Sequence, residues 1–273
     1  MLTKAPHLFD DATRITAGDS SWQGSAGEDY WAFVGQFGGA TAATILRALI
    51  DHPQRAGDPL ALTVNYCAPV AQGAFDLDIR LVKVNRSSQH WSVEMTQGGA
   101  GVVTLATAVF AERRPSWSHQ PATLPQASPF EQTLPYAAKI AASWVKQYEF
   151  RFVEGEPKFG SSSPAPQGSA QSKLWISDRM PRKIDALSLM SMSDAFFARI
   201  FHVRSELVPF GTVSLTTYFH TDLESLAAED ITRVLAVADA KIFHRSYGDQ
   251  NGELWSPSGR LLATTTQIAY FKA

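Results

Sequence analysis

Asp194, Thr212 and Gln267 are polar residues at positions that their surroundings would fill with apolar ones. Asp194 interrupts a run that includes Leu187, Leu189, Met190, Ala195, Phe196 and Phe197, which leaves little room for a wet face. Asp is also a poor helix former, because its side chain competes for nearby backbone groups. A solvent-facing Asp is the plain reading, and a carboxylate held for use as a base is the functional one. Gln267 shares a strand face with Leu261, Ala263, Ala269 and Phe271. A carboxamide on that face needs hydrogen-bond partners. Thr212 reads either as a β-prone residue at a strand start or as a hydroxyl placed to hold a water. A carboxylate can take a proton from water, while a hydroxyl and a carboxamide fix that water without titrating.

Other chemistries leave no trace in the sequence. There is no Gly-x-Ser-x-Gly elbow, no Walker sequence, and no His-x-His or His-Glu-x-x-His spacing for zinc. No cofactor is therefore expected. Gly98-Gly99-Ala100-Gly101 joins two strands and reads as a hairpin turn, not a nucleotide loop. The lone Cys67 lies in an apolar strand and reads as a small buried hydrophobe, not a nucleophile. With 273 residues, 45% hydrophobic and 18% charged, the chain has an ordinary globular composition. A net charge of −2 gives no electrostatic case for nucleic acid or an anionic membrane. One cysteine allows no internal disulfide, the start lacks an apolar leader, and no run reaches the length of a membrane span. A cytoplasmic location is the resulting expectation.

The elements that must position these residues occur twice. Leu62-Thr63-Val64-Asn65-Tyr66, followed some forty residues later by a Thr-rich strand at 102–110, is echoed by Leu215-Thr216-Thr217-Tyr218-Phe219 and the strand at 261–269. Each copy comes after an apolar helical run. The first unit reads as a hairpin over 10–25, a helix over 38–51 ended by His52-Pro53, and strands at 60–68, 74–85, 90–97 and 102–112. A Pro-rich linker over 114–145 carries an amphipathic stretch at 136–146. The second unit reads as strands at 148–153 and 173–177 around a mobile polar loop at 160–168. Next come a single helix over 184–202 and strands at 212–220, 232–240, 241–249 and 260–271, with turn signals at Asn251-Gly252 and Ser258-Gly259. An apolar helix leading into an antiparallel meander predicts an α+β hotdog unit, a curved sheet wrapped around a long helix. Two copies predict a double hotdog: residues 1–113, a linker 114–145, and residues 146–273. Aligning the copies sets Pro59 opposite Thr212 and Ala108 opposite Gln267, and the first helix carries no carboxylate between Gly38 and Ile50. The polar set thus exists once, and the fold itself does not require it.

Short motifs in register across both units resemble the acyl-CoA thioesterase II family. They are Phe37-Gly38-Gly39, Arg86-Ser87-Ser88-Gln89-His90-Trp91-Ser92, Met192-Ser193-Asp194-Ala195-Phe196, Thr212-Val213-Ser214-Leu215, Tyr218-Phe219-His220 and Thr265-Thr266-Gln267. The resemblance implies a double hotdog that hydrolyses acyl-CoA to a free acid and coenzyme A, in lipid and fatty acid metabolism. It implies that Asp194, Thr212 and Gln267 activate water at one site per chain. It places Gly38 and Gly39 at a helix N-terminus suited to polarising the carbonyl. Asn65 and Tyr66 fall near the acyl-CoA site, where the family more often has a His, and Arg86 and Lys83 are placed to meet the coenzyme A phosphates. A homo-oligomer of such chains is compatible with the resemblance. Two other readings stay open: a non-catalytic acyl-CoA binding module, and an enoyl-CoA hydratase or dehydratase on the same fold. The latter pairs an Asp with a nearby His, and here no histidine comes after Asp194 before His202.

Overall fold

The computed structural model describes residues 6–18, 21–99, 101–138, 140–157, 169–204 and 207–272. The first half forms α1 (Leu8–Ala12), β1 (Ile15–Ala17), β2 (Trp22–Ala26), α2 (Gly38–Asp51), β3 (Asp58–Tyr66), β4 (Gly73–Val84), β5 (Ser88–Thr96) and β6 (Val102–Ala111). The second half forms β7 (Tyr148–Glu154), β8 (Ser172–Asp178), α3 (Ala186–Met192), α4 (Arg199–Arg204), β9 (Phe210–Phe219), α5 (Leu223–Ala228), β10 (Arg233–Asp239), β11 (Phe243–His244), β12 (Tyr247–Trp255) and β13 (Leu261–Phe271). The strands join one antiparallel sheet in the order β1-β2-β4-β5-β6-β3-β9-β13-β12-β10-β8-β7, with β11 beside β12.

This order reads the same outward from the centre. β3 and β9 pair there, with Thr63 opposite Thr216 and their hydroxyls 2.9 Å apart. Leu62 faces Ala108 in one half as Leu215 faces Gln267 in the other. The ladder also slips at matching places, skipping Leu60 between Pro59 and Ala61, and Val213 between Thr212 and Ser214. A bulge inserts one residue into a strand and re-aims the side chains beyond it. Side chains alternate along a strand, so without the slip Thr212 would point away from the face that carries Leu215 and Thr217. With it, Thr212 returns to the inner face, opposite Ala269.

Two helices, α2 and α3, pack against each other and lie buried in the core. In α2, residues 39–46 together with Ala48 and Leu49 are buried, because its small and aliphatic side chains permit close approach on nearly every side. All of α3 is buried. The single helix expected over 184–202 is instead two, α3 and α4, with a break at residues 193–198. Ser193 returns its hydroxyl to the Leu189 carbonyl at 2.8 Å, and the amides of Asp194 and Ala195 reach back only three residues. Such local bonds compete with helix propagation.

Neither α1 nor α5 was signalled by the residue pattern. The strand placed at 241–249 is β11 plus the start of β12, and the Asn251-Gly252 turn signal lies inside β12, where cross-strand pairing overrides it. The Ser258-Gly259 turn is present, with Gly259 at φ 94°. The stretch at 136–146 ends in a 3-10 turn (Ser143–Gln147). The polar loop at 160–168 lies outside the described residues. Among the described residues no helix is long and apolar enough to cross a membrane.

Candidate active site

Three elements deliver the polar set to one place. Asp194 sits just past the end of α3, Thr212 is turned inward by the β9 bulge, and Gln267 lies on the inner face of the adjacent β13. Thr212 Oγ1 is 3.2 Å from Asp194 Oδ1 and 3.0 Å from Gln267 Oε1. Asp194 is 7% exposed and Gln267 5%.

The N-terminus of α2, from the other half of the chain, abuts this cluster. Its N-cap residue Phe37 offers no side-chain cap, and the first amides of a helix have no intrahelical partner. Gly39 N–H bonds the Asp194 carboxylate. A Cβ at Gly38 would stand 2.7 Å from Asp194 Oδ2, and one at Gly39 would overlap the Ser191 carbonyl. Glycine is therefore what allows helix and carboxylate to meet. Tyr66 closes the corner, donating its hydroxyl to the Gly38 carbonyl at 2.8 Å.

Burial pushes the Asp194 carboxyl up to about 7, against the opposing pull of the Thr212 hydroxyl and the Gly39 amide. Burial, with Asp194 adding to it, likewise holds the Tyr66 phenol well above its ordinary range.

A cavity of about 280 Å³ opens onto the same carboxylate. Asp194, Thr212, Gly38 and Tyr66 form its polar end, and Phe37, Trp144, Phe196, Phe197, Phe201 and Phe210 line much of the rest. Phe37 and Trp144 stack at 4.3 Å, which stiffens one wall. Cys67 is exposed at this cavity, not buried as expected. No histidine lines it. His202 is buried elsewhere, its pKa pushed down to about 2 by burial and by Arg199.

The structure does not bring Asn65 or Arg86 to the cluster. Asn65 is exposed on the sheet face opposite Val64, the outer one. Arg86 is exposed in the β4–β5 turn, beside Val84, whose ladder runs through Gln89 and Phe110 to Pro59. That is the far end of β3 from Tyr66, roughly 23 Å away at about 3.3 Å per residue. Lys83 is exposed near the same end.

The sequence matches two family profiles in tandem: the acyl-CoA thioesterase N-terminal domain over residues 28–111 and the acyl-CoA thioesterase C-terminal domain over residues 115–271. The chain belongs to the acyl-CoA thioesterase family. Among solved structures, a hot dog fold protein of unknown function from Alicyclobacillus acidocaldarius is 40% identical, with a TM-score of 0.92 over 98% of this chain and 99% of that one. A putative thioesterase II from Thermobifida fusca superposes with a TM-score of 0.82 at 15% identity, over 97% and 98% of the two chains. An acyl-CoA thioesterase II from Mycobacterium marinum gives 0.75 at 16% identity over the same shares. These two likenesses speak to the hotdog fold alone. No curated protein sequence matches the chain.

Proposed function

We propose that this acyl-CoA thioesterase family member is a double hotdog that hydrolyses acyl-CoA thioesters at one site per chain. The reading divides the chain into units at residues 1–113 and 146–273 joined by the segment between them. The observation that carries it is an apolar cavity ending on a buried carboxylate, a hydroxyl and an open helix N-terminus. The acyl group occupies the aromatic-lined part and presents its thioester carbonyl to the α2 N-terminus. There the free Gly38 N–H and the helix dipole stabilise the developing oxyanion. A water held by Asp194 and Thr212 attacks the carbonyl carbon, and Asp194 takes its proton. The tetrahedral intermediate then breaks its C–S bond, and the proton passes to the leaving thiolate. Gln267, not itself a cavity wall, holds Thr212 in place.

The hydratase reading lacks support, since it needs a histidine beside the aspartate and the cavity lining has none. Incubating the chain with acyl-CoAs of graded length tests the proposal. Loss of thioester absorbance is the suitable readout, because the exposed Cys67 would itself react with a thiol dye. Hydrolysis of any of these thioesters supports the reading. Saturable binding without hydrolysis would replace it with a non-catalytic acyl-CoA module.

A further inference from the structure

Two polar anomalies sit side by side behind the cluster. Thr212 has one hydroxyl proton but faces two acceptors, Asp194 Oδ1 and Gln267 Oε1. Nearby, Gln250 Nε2 is buried with no acceptor among the described residues. A buried donor left without an acceptor keeps its full desolvation cost. Gln250 and Gln267 are direct cross-strand partners on β12 and β13, both on the inner face and at most 5% exposed. Both border a small cavity of about 20 Å³, room for one water.

Gln250 is itself fixed from behind. Arg199 is 3% exposed, and among the described residues its guanidinium donates to neutral acceptors. Nε donates to Gln250 Oε1 at 3.0 Å, Nη1 to Ser172 Oγ at 2.7 Å, and Nη2 to the Phe197 carbonyl at 2.5 Å. Arginine donates and never accepts, so Gln250 must keep its oxygen toward Arg199 and present its N–H groups on the other side.

Turning the Gln267 carboxamide over, so that its oxygen and nitrogen exchange places, would resolve both anomalies. Its oxygen would then face Gln250 Nε2, directly or through one water, and its N–H would donate to Thr212 Oγ1. The Thr212 proton then has a single destination, Asp194 Oδ1. Oδ2, the carboxylate oxygen beside Gly38, is left to face the attacking water. We infer that Arg199 and Gln250 are positioning residues, the head of a one-way donor chain that runs through Gln267 and Thr212 and orients the Asp194 carboxylate. The fold does not demand this chain. In the first half, Trp91 pairs with Ala108 as Gln250 pairs with Gln267, so the matching places hold Trp91, Ala108 and Pro59. Arg199 also grips the Phe197 carbonyl, and so anchors the break that carries Asp194.

The inference rests on the hydrolytic reading, and Gln250→Glu separates the two. The substitution keeps the side-chain shape and gives Arg199 a carboxylate partner, but removes the N–H donors toward Gln267. We expect kcat to fall by about tenfold or more with KM within about twofold, because the lost interaction orients the reacting groups and does not bind substrate. The melting temperature should equal or exceed that of the wild type, so the loss cannot be ascribed to unfolding. A folded Gln250→Glu chain with wild-type kcat overturns the inference. If that variant does not fold, Gln250→Met serves in the same assay, and wild-type kcat overturns the inference there too. A wild-type chain that hydrolyses no acyl-CoA is a different result, which removes the hydrolytic reading itself and the inference with it.

Discussion

The N-termini of α2 and α3 are satisfied in different ways. The α3 terminus is closed by its own residues: Asp185 caps the Ser188 amide at 2.8 Å, and Arg182 bridges Asp185 and Asp10. The α2 terminus has Phe37 where a capping side chain would be, and the carboxylate that meets its amides arrives from the other half of the chain. The sheet around them repeats strand order, register and bulge. What differs is Pro59, Ala108 and Trp91 on one side against Thr212, Gln267 and Gln250 on the other. The bulge thus recurs in both halves of the sheet, where one half turns the Thr212 hydroxyl inward and the other holds a buried proline.

The largest effect should come from removing the carboxylate. Asp194→Asn keeps the shape and is expected to lower turnover by about 10²–10⁴. The same variant should gain stability. Burial raises the Asp194 pKa from 3.8 to about 7, so the folded chain keeps a proton there that the unfolded chain releases across that window. Unfolding therefore becomes easier as pH rises through it. Thermal melts at pH 8 should place Asp194→Asn roughly 5 °C above the wild type, with the gap closing near pH 4. Asp178, also buried and pushed up to about 7, contributes equally to both chains and cancels in the difference.

Gly38→Ala should come next. Its methyl would crowd Asp194 Oδ2 and lower kcat by about 10²-fold, the order expected when a reacting group is displaced by about an ångström. Circular dichroism should show the fold retained. Ala108→Gln sharpens the comparison from the other side. It should leave kcat unchanged and create no second site, while the unpartnered carboxamide costs about 1–3 kcal/mol in denaturant unfolding. Arg86→Ala should have the least effect, with KM within about twofold, since the turn that carries it lies at the far end of the strands.

The sequence held more of this asymmetry than of the geometry that uses it. The Pro59/Thr212 and Ala108/Gln267 correspondences were legible because both copies keep one spacing, and the sheet register respects it. The break after α3 was not, because apolar periodicity runs straight through Phe196 and Phe197 while Ser193 and Arg199 undo the helix locally. Asn65 and Tyr66 are adjacent in sequence yet point to opposite faces, so placing both at one site conflicts with strand alternation. Gln250 carries no sequence signal, because it is the β12–β13 pairing that sets it beside Gln267.

The most direct test of Asp194 as the base is the pH dependence of kcat/KM for acyl-CoA hydrolysis, measured for the wild type and for Asp194→Asn. The wild-type value should rise tenfold per pH unit and level off near pH 7, as the buried carboxyl gives up its proton. In Asp194→Asn the residual rate should lack that limb. An unchanged limb in Asp194→Asn would assign the base to another group and contradict the account.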